Sequence, residues 1–199
     1  MQTKEDIEIQ NKLEKPGHGL PKIDAIFLKH VGFPILKTFI SWDNAMKFFE
    51  YEGKEVLNLV KDLPKDKLFK KVLIPKIFGI EDNSRYYSPA MVLWHLLYVG
   101  ETLQEGIVSL SKNEKIDFTV KIENFKPFVQ IDEDIVEKYE KFLNNYKKFI
   151  EINIENKHIN NCLSHPWFGC LNPHQWLVMS AIHQMVHKRQ IKKILKSNN

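Results

Sequence analysis

Two histidines, His183 and His187, stand four residues apart in a stretch with strong helical periodicity. Four residues is about 400° of helix, so both imidazoles face the same way, one turn above the other. Trp176, Ser180, His183, His187, Gln190 and Ile194 step by 4, 3, 4, 3 and 4, the seam of a helix packed in a bundle. Leu177, Met179, Met185, Val186 and Ile191 flank that seam, and Gln175, Gln184, Lys188, Lys192 and Lys193 read as its wet face. The histidines thus occupy positions where leucines are usual, which is costly unless something binds them. A metal ion needs convergent lone pairs at about 2.0–2.1 Å, and this pair supplies two. Two core histidines bonded to backbone or water are the alternative. His95 is the only histidine in the other long helices, and it borders an apolar stripe. His95, His183 and His187 together would make a three-histidine face with an open position. That is the pattern of a catalytic metal site, because closed structural sites use four protein ligands.

The pair is not the zinc-protease motif, which needs glutamate directly after the first histidine; here Gln184 follows, and it cannot take a proton. His165 reads first as a turn residue bonded to backbone and second as a pocket residue. His174 reads as a surface residue in the first turn of its helix. Ser180, one turn before His183, is small enough to leave room above a metal. Tyr98, one turn after His95, is a candidate to line that space and donate a hydrogen bond. Glu101 faces elsewhere and reads as a solvated charge. Cys162 and His165 have the spacing of half a metal site with no second half, and Cys170 reads as a small buried residue.

These residues need elements to hold them. Residues 1 to about 20 read as a flexible arm or irregular lead-in, and 22–40 as a short helix broken by Gly32 and Pro34. Ser41 is a plausible N-cap for a first long helix, whose seam is Trp42, Met46, Phe49, Gly53, Val56 and Val60. Residues 65–84 form a connection with room for a short helix at 65–72. Ser88 and Pro89 open a second long helix carrying the stripe Val92, Leu96, Val99, Leu103, Ile107 and Leu110. Residues 112–130 read as loop. A third helix begins near Asp132, with seam residues Ile135, Tyr139, Phe142, Tyr146 and Phe149. The fourth follows a tight turn shaped by Pro166 and Gly169 and plugged by Trp167 and Phe168. Four amphipathic helices with no strong period-2 run predict an all-α fold, a four-helix bundle. The expected organisation is an N-terminal extension over 1–40 and a bundle domain over 41–199.

The chain has 199 residues, 43% of them hydrophobic, which is enough for one good core. No run approaches the apolar length of a membrane span, and the N-terminus is too charged for a signal peptide, so no membrane partner is expected. With two cysteines eight apart, a disulfide scaffold is not expected, and a reducing cytoplasm is the simpler localisation. The net charge of +4 comes from mixed lysines and acids, and Arg85 and Arg189 are the only arginines. Nucleic acid is therefore not an expected partner. A small-molecule substrate is, and a homodimer is allowed.

The stretches SPAMVLWHLLYVGETL and HPWFGCLNPHQWLVMSAIHQMVHKRQI resemble the DinB/YfiT-like superfamily of metalloenzymes, from about residue 40 to the C-terminus. The resemblance implies a four-helix bundle in up-down-down-up order. It also implies a divalent metal, often nickel or zinc, on one histidine of the second helix and an H-x3-H pair of the fourth; His95, His183 and His187 match those positions. The turn from His165 to Trp176 resembles a branch of the superfamily with no assigned activity. Characterised relatives include thiol transferases using bacillithiol or mycothiol-type cofactors and a maleylpyruvate isomerase. The implied function is a metal-dependent enzyme acting on a small molecule, with a low-molecular-weight thiol as a candidate cofactor. The alternatives are a metal-hydroxide hydrolase, or a non-catalytic metal-binding or stress-response protein of the same fold.

Overall fold

The computed structural model describes residues 3–116, 120–127 and 130–197; the loop expected over 112–130 includes 117–119 and 128–129, outside the described residues. In chain order it contains α1 (Lys4–Asn11), α2 (Lys22–Phe27), a π-helical turn (Leu28–Gly32), α3 (Phe33–Phe39), α4 (Trp42–Val60) and α5 (Lys65–Phe69). Then come β1 (Val72–Leu73), a 3-10 turn (Asp82–Arg85), β2 (Tyr86–Tyr87), α6 (Pro89–Ser111), a second 3-10 turn (Ile122–Phe125) and α7 (Ile135–Asn153). A hairpin of β3 (Leu163–His165) and β4 (Gly169–Leu171) leads into α8 (Pro173–Ser197). The fold is all-α, with two small antiparallel pairings, β1 with β2 and β3 with β4.

Local chemistry starts the long helices. Ser41 Oγ accepts the Asn44 amide at 3.3 Å ahead of α4, and Ser88 Oγ accepts the Met91 amide at 3.2 Å ahead of α6, with Pro89 in the first helical position. Asn172 and Gln175 cap α8 reciprocally, each side-chain oxygen accepting the other's amide, at 2.9 and 3.2 Å. Packing then selects the faces. The seams of α4 and α6 are buried throughout. On α7 the buried stripe ends on Ile150, and Phe149 is half-buried. Helix α4 packs against α7 and α8, and α6 packs against the same two. Phe49 of α4 stacks on Tyr146 of α7 at 3.9 Å in the core between them.

Four expectations are corrected. Residues 1–20 are not an irregular arm throughout: Thr3 and Asp6 form a capping box that starts α1, and Asp6 accepts a 2.8 Å bond from the Tyr86 hydroxyl. Residues 22–39 are helical through Gly32 and Pro34, with Pro34 near the start of α3, where its missing N–H costs little. Gln184 and Lys188 are not on a wet face. Gln184 is 1% exposed and accepts a 2.6 Å bond from the Tyr139 hydroxyl, while Lys188 pairs with the buried Glu52 at 2.6 Å. Helix α8 is covered by α4 on one side and α6 on another, so it buries more than one stripe. Finally, Cys162 and Cys170 form a disulfide across the β3–β4 hairpin, and Cys170 is exposed. Their Cα atoms are 5.5 Å apart, within the range a disulfide spans, and the antiparallel hairpin brings the two segments side by side. Such bonds persist in oxidising surroundings, so the cysteines do not argue for a reducing compartment. No described helix is long and apolar enough to cross a membrane.

The α6–α7 contact depends on Gly100, because a Cβ there would overlap the Phe142 ring, whereas a Cβ at Gly106 meets nothing within 4 Å. Gly100→Ala is expected to destabilise by about 1–3 kcal/mol through overpacking. Gly106→Ala is expected to stabilise by about 0.5–1 kcal/mol through helix propensity. Thermal melts of the two variants check this; equal shifts would show that the close approach of α6 to Phe142 is not real.

Candidate metal centre

Helix α6 carries His95, and α8 carries His183 and His187; the two helices pack directly, which brings the three rings together. His183 Nε2 lies 3.0 Å from His95 Nε2 and 3.1 Å from His187 Nε2. All three ligand atoms lie within 4.8 Å of one another.

The outer nitrogens determine what the inner ones are. His95 Nδ1 is 2.7 Å from the Phe125 carbonyl oxygen, which can only accept, so Nδ1 carries the proton. His187 Nδ1 is 2.6 Å from Gln190 Oε1. The Gln190 amide is oriented in turn, because its Nε2 donates to the Ser84 carbonyl at 2.7 Å. His187 Nδ1 therefore also donates. Both Nε2 atoms are left as bare lone pairs aimed at His183. A proton on His183 Nε2 can satisfy one of them and leaves the other facing it unbonded.

A single ion removes that conflict. With metal–nitrogen bonds of about 2.0–2.1 Å and angles between octahedral and tetrahedral, ligand nitrogens lie about 2.8–3.4 Å apart. The observed 3.0 and 3.1 Å fall in that window. The Nδ1–H bonds to Phe125 and Gln190 are the outer contacts that fix ring orientation in histidine metal sites. The three histidines are thus placed to hold one metal ion.

Electrostatics keep the rings neutral. Burial, then the proximity of His187, push His95 and His183 well below the usual imidazole range. Burial and the nearby Lys126 bring His187 down to about 4, against the opposing bond to Gln190. At neutral pH all three rings are neutral, each with one ring proton.

All three line one cavity of about 100 Å³, walled by Val99, Leu103, Phe125, Trp176 and Met179 among others. His165 lines it too. This histidine is both things the sequence allowed: its Nδ1 accepts the Trp167 amide at 3.1 Å, and its ring borders the cavity. Since Nδ1 accepts, Nε2 carries the proton, and burial holds the ring neutral with a pKa of about 4.

Two expected pocket residues are elsewhere. Ser180 is buried, but its hydroxyl donates to the Trp176 carbonyl at 2.9 Å and it does not line the cavity. An i−4 bond of this kind is the usual fate of a serine inside a helix. Tyr98 is 43% exposed and stacks on Trp94 at 4.9 Å, outside the cavity. One turn along α6 from His95 leads outward because the buried stripe there is Leu96 and Val99. His174 is half-buried, with Nε2 2.8 Å from the Ile40 carbonyl, and is not a surface residue.

Four residues of the site were not foreseen: Gln190, Glu81, Ser84 and Lys126. Gln190 had a signal, a polar residue on the seam one turn after His187. The other three lie on irregular connections, where periodicity is silent. Lys126 reaches Glu81 at 2.5 Å and donates to Ser84 Oγ at 2.8 Å, and all three line the cavity. Burial lowers the Lys126 pKa, opposed by Glu81.

No protein-family model matches the chain, and no curated protein matches it.

The buried neutral histidines set a pH dependence for the metal-free protein. His165 and His187 titrate near 4 when folded and near 6.5 when unfolded, so below 6.5 the unfolded chain binds more protons. Stability should be full above about pH 6.5 and fall as pH drops toward 4, by on the order of 3 kcal/mol per histidine at most. Urea melts of chelated protein between pH 7.5 and 4 measure this. A midpoint constant over that range would mean that the rings are not buried neutral.

Proposed function

We propose that this protein is a divalent-metal enzyme acting on a small molecule, built on a four-helix bundle of α4, α6, α7 and α8, and related to the DinB/YfiT-like metalloenzymes. The observation that carries the reading is the convergence of three Nε2 atoms of neutral imidazoles, 3.0–3.1 Å apart in two pairs, at the wall of a cavity. The bundle is supported by the closed ring of contacts α4–α8–α6–α7–α4. His95, His183 and His187 hold the ion. Zinc or nickel suits three imidazoles better than magnesium or calcium does.

The bound ion would act as a Lewis acid and lower the pKa of a thiol or water joining it in the open position. The protein residues do the rest. Phe125, Trp176, Val99 and Leu103 make an apolar wall that excludes bulk water and strengthens polar contacts inside. The neutral His165 offers an Nε2–H donor to a substrate oxygen or sulfur. Lys126, paired with Glu81 and bonded to Ser84, adds a hydrogen-bonded polar cluster to the wall without adding net charge. Three neutral ligands leave a divalent ion its full charge, which favours an anionic partner such as a thiolate. A thiol-dependent transferase is the form of the proposal that follows.

Cobalt(II) substitution tests it. Titrating a small thiol into cobalt-loaded protein should produce a sulfur-to-cobalt charge-transfer band, and His187→Ala should bind too little cobalt to show one. If thiols give no band while azide perturbs the cobalt spectrum, a metal-hydroxide hydrolase replaces the transferase. If His183→Ala and His187→Ala retain full metal, the site itself is wrongly assigned.

A further inference from the structure

A second cavity, of about 240 Å³, lies between the N-terminal helical segment and α8. Phe27, Leu28, Phe33 and Leu36 form one side, and Ile182 and Val186 the other. The π-helical turn at Leu28–Gly32 contributes to this wall, and such turns often accompany functional sites. The segment is tied down around it: Asp24 accepts the Gly79 amide at 3.1 Å, and Phe33 stacks on Phe168 of the hairpin at 4.5 Å.

This cavity meets the histidine cavity. Gly79, His165, Trp167, Met179 and His183 line both. At its other limit is Arg189, an exposed guanidinium with no hydrogen bond or ion pair among the described residues. Arg189 follows His183 by six residues, about 9 Å along the helix axis. A dry cavity of about 150 Å³ holds benzene, so this one has room for a chain or ring of roughly eight carbons.

We propose that this cavity binds the body of a small apolar molecule bearing one anionic group, with the anion on Arg189 and the apolar end directed toward His183 and His165. The inference rests on the metal-enzyme reading for its claim that the occupant is a substrate. It names the substrate class: an amphipathic carboxylate or similar monoanion whose reacting end is remote from its charge. The N-terminal segment, outside the stretch that resembles a known family, then makes half of the specificity pocket.

Calorimetric titration of the metal-stripped full chain with butanoate, hexanoate and octanoate tests the cavity without depending on the ion. Affinity should rise about fourfold per methylene added. Arg189→Gln should weaken octanoate about tenfold and leave octan-1-ol unchanged. Ile182→Trp, which fills the cavity, should abolish binding of both; Arg189→Gln, an exposed change, keeps the test decisive if Ile182→Trp does not fold. No octanoate binding, no chain-length dependence, or equal octanoate affinity in Arg189→Gln would overturn the proposal. Zinc uptake by the same preparation is measured separately. Octanoate binding without zinc uptake would overturn the substrate role while showing that the metal reading is what failed.

Discussion

Two hydrogen bonds on the far side of the rings govern the site. The Phe125 carbonyl and the Gln190 amide oxygen hold the Nδ1 protons of His95 and His187, and so turn two Nε2 lone pairs onto His183. Without those bonds each imidazole could exchange tautomers, and the cluster would satisfy itself with ordinary N–H···N contacts. With them, two bare lone pairs face the one His183 Nε2, and a single proton there cannot satisfy both. Much of the surrounding fold secures this arrangement. Gln190 is oriented by the Ser84 carbonyl, Ser84 also holds Lys126, and Lys126 follows Phe125 directly in the chain.

The long helices and the connections have different tasks. Helices α6 and α8 bring the histidines within reach, and their buried seams set ring height and direction. The segment before α6 and the 3-10 turn after it supply the polar groups that orient the rings. The β3–β4 hairpin, closed by its disulfide, delivers His165 and Trp167 to the cavity wall. The candidate ligands thus sit on the helical frame, and groups that orient them sit on the irregular segments around it.

How much of this was legible depended on periodicity. His183 and His187 stood out because two imidazoles replaced seam residues in a 3–4 repeat, and His95 because it bordered the stripe of α6. Helix starts were legible at Ser41, Ser88 and Pro89 because capping chemistry is local. Gln184 and Lys188 were misread because their partners, Tyr139 and Glu52, come from distant elements that no helical wheel displays. Tyr98 and Ser180 were misplaced for a related reason: spacing says which residues share a helix face, not which neighbour covers it. Glu81, Ser84 and Lys126 carried no pattern at all. The disulfide was missed because two cysteines eight apart acquire meaning only once the hairpin register is known. The length of the N-terminal helices was missed because Gly32 and Pro34 were read as breaks, and both are accommodated.

X-ray absorption at the zinc edge bears most directly on the three-histidine site. The sample is tag-free protein loaded with one equivalent of zinc. Three imidazole nitrogens at about 2.0–2.1 Å with one further light ligand are predicted. A zinc ion held by fewer than three imidazoles, or one that does not remain bound at neutral pH, would contradict it.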